Sequence, residues 1–171
     1  MRRYYWRMTS RTLANLFASI VVAGFSATTV AAAQAPAAPH DRSIVFVCEH
    51  GAALSVIATT LFNQLAAARG LPQRAVYRGV DPQADLSVAT LRGLREDGLL
   101  LPTDKPTAIA AADVAAATHI FAIGCALPSV ASASGKAEDW SDVPLVSEGY
   151  AAARDAIRRH VEHLIDQLAR R

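Results

Sequence analysis

The chain has 171 residues, 52% of them hydrophobic, with 17 Lys and Arg against 15 Asp and Glu, a formal net charge of +2. The basic excess does not point to nucleic acid. Arg2, Arg3, Arg7 and Arg11 open a segment with no acidic residue, and the chain beyond residue 35 holds 13 basic residues against the same 15 acidic ones, a net of −2. Two cysteines, Cys48 and Cys125, are too few for a disulfide scaffold.

Residues 1–35 read as an export signal. The basic start runs into "LANLFASIVVAGFSATTV" and then "AAAQA", small residues suited to cleavage. The expected location is therefore periplasmic. Retained, the segment would be a membrane anchor, and its many Ala, Ser and Thr make a weak span. The twin arginine in "RRYYWR" matches a Tat signal poorly. Residues 36–42 form a Pro/Ala linker, and residues 43–171 suffice for one domain with one core.

"SIVFVC" (43–48) is a short apolar run, as expected of a strand buried on both faces. "SVIATTLFNQLAAARG" (55–70) repeats Ile57, Leu61, Leu65 and Ala68 at helical spacing and stops at Gly70. "RAVYRGV" (74–80) is a second strand. "DLSVATLRGLREDGLL" (85–100) is a helix, with Val88, Leu91, Leu94 and Arg95 in register, and the Ala-rich "PTAIAAADVAAA" (106–117) is another. "THIFAIGC" (118–125) is a third strand ending on a cysteine. "LPSVASASGKAED" (127–139) is a loop, and "WSDVPLV" (140–146) holds a brief fourth strand. From residue 149, Tyr150, Ala153, Ile157, Val161, Leu164, Ile165 and Leu168 make one apolar helical stripe. This alternation predicts an α/β fold: a single three-layer domain with a four-stranded open parallel sheet. In such sheets ligands bind beyond the carboxyl ends of the strands, where both cysteines are expected.

A strand, then "CEHGAALS", then a helix describes an anion cradle. Loop and helix-start N–H groups face a bound oxyanion, small residues let the backbone approach, and Cys48 is placed to attack its central atom. A buried structural cysteine is the alternative for any strand-end thiol.

Five segments in order resemble the low-molecular-weight protein tyrosine phosphatase family, in particular its thioredoxin-coupled arsenate reductase branch. They are "IVFVC", "VYRG", "THIFAIGC", "EDWSDVP" and "AAARDAIRRHVEHLIDQL". The resemblance implies a flavodoxin-like sheet and roles for particular residues. Cys48 would be the nucleophile. Glu49, His50, Gly51, Ala52, Ala53, Leu54 and Ser55 would form the oxyanion loop, and Asp142 would protonate the leaving oxygen. Cys125 would be the redox partner that resolves a Cys48 adduct. The implied partners are a small oxyanion or phosphorylated substrate and a thiol reductant, with no cofactor and no metal.

The departures from that pattern are specific. The family signature places arginine where this chain has Leu54, although Ser55 follows as expected. That arginine would grip an oxyanion bidentately, and losing one oxyanion donor costs about 3–4 kcal/mol of transition-state stabilisation. Glu49 works against an anion, and His50 offsets it only when protonated. Val143 separates Asp142 from Pro144, where the family has Asp directly before Pro, and Asp139 is a poorer candidate acid. The reductase's third cysteine is missing from "ALPSVASASGKAED".

Arg78, at the end of the second strand, is the candidate cation to reach over the Cys48 loop in place of the missing arginine. His160 and His163, three apart, fall short of a metal ligand set. Trp140 is expected to anchor its loop to the core. Three readings follow: an exported phosphatase or arsenate reductase-like enzyme acting through Cys48, an inactive member binding an anion or a protein, and a thiol-disulfide protein using Cys48 and Cys125, although no Cys-x-x-Cys spacing is present.

Overall fold

The computed structural model describes residues 42–170, so the export signal and nearly all of the linker lie outside the described residues. Four strands alternate with helices in the order β1 (Arg42–Cys48), α1 (Leu54–Ala68), β2 (Arg74–Gly79), α2 (Val88–Glu96), α3 (Ala111–Ala116), β3 (His119–Ala122), α4 (Ser129–Ser132), β4 (Ala137–Asp139) and α5 (Tyr150–Ala169). All strand pairs are parallel and the spatial order is β2-β1-β3-β4. The continuous apolar run of β1 is explained by its central place. It has a strand on each side and a helical layer on each face.

Alternation along β1 divides the core into two layers. Ile44, Phe46 and Cys48 face a large cluster with α1, α2 and α5, whose members include Ile57, Leu61, Leu94, Ile157 and Val161. Val45 and Val47 face a smaller cluster with Val114, Ile120 and Ala131. Phe46 packs against Phe62, Phe121 and Trp140, with ring centroids 6.1, 5.3 and 5.3 Å apart. Trp140 is buried and also stacks on His160 at 4.6 Å, so it does anchor the segment after β4 to the core.

Both edges of the sheet are blunted. On β2, the Asn63 side chain of α1 donates to the Ala75 carbonyl and accepts from the Ala75 N–H, at 3.0 and 2.7 Å. Gly79 N–H donates to Thr107 and Gly79 C=O accepts from Ile109, which occupies the other end of that edge. The β4 edge is only three residues long, and all three residues are exposed.

Several element boundaries differ from the sequence reading. The third strand ends at Ala122, and Cys125 lies past it in a turn through Gly124 (φ +63°). The fourth strand is Ala137–Asp139, just before the segment expected to hold it, and α4 interrupts the expected loop. α3 spans only six residues, because the chain before it runs along β2 through the Gly79–Ala108 bridge. Val88 is 81% exposed, so α2 buries Leu94 but not its first residue. The apolar stripe of α5 is as read: Ala153, Ile157, Val161, Leu164 and Ile165 are buried.

Candidate active site around Cys48

Cys48 ends the central strand at the carboxyl edge of the sheet and is 5% exposed. Its Sγ lies 3.1 Å from the Ser55 Oγ, which is itself fully buried in the first turn of α1. Residues 49–53 carry the chain from one to the other.

Four carbonyls of this stretch are tied to the chain after β2. Val80, Asp81, Gln83 and Ser87 donate their N–H groups to the C=O of Cys48, Glu49, His50 and Ala52, at 3.1, 2.8, 3.1 and 3.0 Å. In a trans peptide the next residue's N–H points opposite to the carbonyl. The N–H groups of Glu49, His50, Gly51 and Ala53 are therefore turned the other way, into the concave side of the loop. With the N-terminus of the 15-residue α1 behind them, they form a backbone nest suited to negative charge.

Gly51 makes this loop possible. Its φ is +62°, and a Cβ there would fall 2.8 Å from the Gly79 nitrogen. Two glycines thus let the loop and the end of β2 touch backbone to backbone.

A cavity of about 390 Å³ opens over the loop. Much of its wall is apolar: Ala52, Leu54, Ala89, Ile123, Leu145 and Val146. Among the described residues lining it none is Lys or Arg, and Glu49 is the lining carboxylate. Leu54, where the resemblance expects arginine, is 5% exposed and belongs to the main core cluster. Gln83, Ser87, Ala89 and Leu145 line the cavity without having been singled out in the sequence. The N-cap serine Ser87 was the only one of them with a local signal, its side chain accepting from Thr90 N–H at 3.3 Å.

Arg78 does not reach this loop. It pairs in register with Val47, so it projects from the sheet face opposite Cys48. There its Nε and Nη2 make a bidentate pair with Asp113 at 2.9 and 2.8 Å. The expectation of a substitute cation is corrected on that ground. Arg78→Ala is expected to leave phosphate binding unchanged while costing about 2 kcal/mol of stability, the usual worth of a part-buried charged hydrogen-bond pair. Denaturant midpoints and a phosphate titration check the two halves.

Asp142 is also placed elsewhere. Both its oxygens lie against His160 Nε2, at 2.8 and 3.0 Å, and it does not line the cavity. Val143, between Asp142 and Pro144, is buried in the core. His163 contacts Gln167 on the same helix, so the two histidines serve separate side-chain pairs.

Both cysteines are free thiols. Cys125 Sγ donates to the Val47 carbonyl at 3.6 Å. Burial, then the charge of nearby Cys48, pushes the Cys125 thiol up from 9.0 to about 11. The unfolded thiol titrates at the lower value. The contribution to stability is therefore complete below pH 9 and is lost as the pH rises through 11. Cys125→Ser should remove that part of the alkaline stability loss in thermal melts from pH 8 to 11. Iodoacetamide should label Cys125 in the folded protein only toward the top of that range.

No family model matches the sequence, and no curated protein matches it. Solved structures do match the fold. The arginine phosphatase YwlE of Bacillus subtilis superposes with a TM-score of 0.66 at 18% identity, covering 74% of this chain and 95% of that one. An arsenate reductase from Archaeoglobus fulgidus gives 0.56 at 23% identity, covering 72% and 99%. The tyrosine phosphatase Wzb of Escherichia coli, in complex with sulphate, gives 0.61 at 16% identity, covering 74% and 97%. The described residues thus carry the fold shared by low-molecular-weight phosphatases and arsenate reductases.

Proposed function

We propose that this is an exported protein of the low-molecular-weight phosphatase and arsenate reductase class that does not hydrolyse phosphate esters, with Leu54 in place of the clamp arginine. Its Cys48 pocket keeps the thiol and the backbone nest for an oxygen-bearing ligand. The observation that carries this reading is the cavity wall, where Leu54 is buried and the lining carboxylate is Glu49. A phosphate dianion would enter facing a carboxylate and meet no guanidinium. Removing one oxyanion donor already costs about 3–4 kcal/mol, and a charged bidentate donor costs at least that. Proton delivery is weakened as well, because His160 holds the Asp142 carboxylate away from the cavity.

The thiol-pair reading has one supporting observation, the electrostatic influence of Cys48 on Cys125. The same shift leaves Cys125 a poor attacking thiol near neutral pH. Export rests on the residue 1–35 pattern, and periplasmic location follows from it.

The test is turnover of an aryl phosphate and of arsenate with a thiol reductant. Wild-type and Cys48→Ala proteins should give the same background. Turnover that depends on Cys48 would overturn the proposal.

A further inference from the structure

The cavity that is wrong for a phosphate dianion is well matched to a neutral carbonyl compound. We propose that Cys48 accepts the acyl group of short-chain carboxylic esters. This rests on the reading that Cys48 lines the pocket at a backbone nest and that the pocket does not turn over phosphate.

Four observations carry the inference. First, the nest supplies the N–H groups of Glu49, His50, Gly51 and Ala53 as donors, and no Lys or Arg lines the cavity among the described residues. That suits the single negative charge that develops on a carbonyl oxygen in a tetrahedral intermediate. Second, a neutral ester suffers little from the Glu49 carboxylate, which repels a dianion from the ground state onward. Third, Leu54, Ala89, Ile123, Leu145 and Val146 offer an apolar wall to a short acyl chain in about 390 Å³.

Fourth, His50 also lines the cavity, and its Nδ1 lies 3.1 Å from the Asp81 carbonyl. A carbonyl oxygen can only accept, so Nδ1 carries the proton and donates. In the neutral ring this leaves Nε2 as the basic nitrogen. A thiol, a base of fixed tautomer and a nest of N–H donors are the parts that acyl transfer requires.

The chemistry balances. The Cys48 Sγ–H proton passes to His50 Nε2 as sulfur adds to the carbonyl carbon. The C–O bond to the leaving group breaks, and that oxygen takes the proton. Water then adds to the thioester, the S–C bond breaks, and the carboxylic acid departs as the proton returns to sulfur.

The experiment exposes the full chain separately to aryl acetate, aryl butyrate and aryl phosphate, with acid quench and intact-mass analysis. Wild-type and Cys125→Ser proteins should show an acyl adduct mapping to Cys48, and Cys48→Ala should show none. Butyrate should acylate roughly tenfold faster than acetate, the expected gain from burying two further methylenes. His50→Gln should slow acylation and Cys48 labelling by iodoacetamide together while leaving the melting temperature unchanged, which separates loss of the base from loss of the fold. The inference is overturned if iodoacetamide labels Cys48 but neither ester leaves an adduct there. A phosphoryl adduct on Cys48 would instead overturn the reading on which it rests.

Discussion

Leu54→Arg is expected to tighten inorganic phosphate and arsenate binding about ten- to a hundredfold, the range of one new charged hydrogen-bond donor. Residue 54 opens α1, lines the cavity and lies beside the nest. A guanidinium there adds the positive charge that the described wall lacks. The Gly124 backbone lies beside it, and a Cβ on that glycine would sit in van der Waals contact with the Leu54 Cδ1, at 3.8 Å. Leu54→Met keeps the site apolar and should change nothing. Glu49→Gln should strengthen binding further in the arginine background by removing the opposing carboxylate. Calorimetric titration of the wild type and the three variants at one ionic strength reads the effect. If Leu54→Arg folds and binds phosphate no better than wild type, charge at this position is not what the pocket lacks.

Gly51→Ala is expected to be the most damaging single-methyl change near the site. Two costs combine. A φ of +62° costs about 1–2 kcal/mol for a residue with a Cβ, and that Cβ would meet backbone atoms of Gly79 at 2.8 and 3.0 Å. Overlap with backbone cannot relax by a rotamer change and adds about 1–3 kcal/mol. The sum predicts a drop in melting temperature on the order of 10 °C. Gly70→Ala separates the two costs, because Gly70 has a similar φ of +67° but nothing within 4 Å of its Cβ position. It should show only the smaller conformational penalty. Equal effects at the two sites would mean that the close loop-to-strand approach contributes nothing.

The β1–loop–α1 unit was legible because its physics is local. An apolar run, a stretch of small residues and a helical repeat fix a thiol at a strand end whatever surrounds it. The long α5 stripe was legible for the same reason. β4 was not, since a three-residue exposed edge strand, Ala137–Asp139, has no apolar periodicity to read. The Arg78 expectation failed on register. One residue of offset decides which sheet face a side chain takes, and the pairing of Arg78 with Val47 appears only once the strands are aligned. Asp142 failed on a distant partner, as nothing near residue 142 announces that His160 on α5 will hold it. The apolar cavity wall combines residues from four separate stretches, and only its loop members Ala52 and Leu54 belong to a motif that the sequence shows.

The central claim is that this fold has kept the thiol and the nest while losing the means to transfer phosphate. The most direct measurement is an intact-mass search for phosphocysteine after wild-type protein is exposed to aryl phosphate and quenched in acid. Cys48 is expected to remain unmodified. A phosphoryl adduct on Cys48, absent from Cys48→Ala, would contradict it.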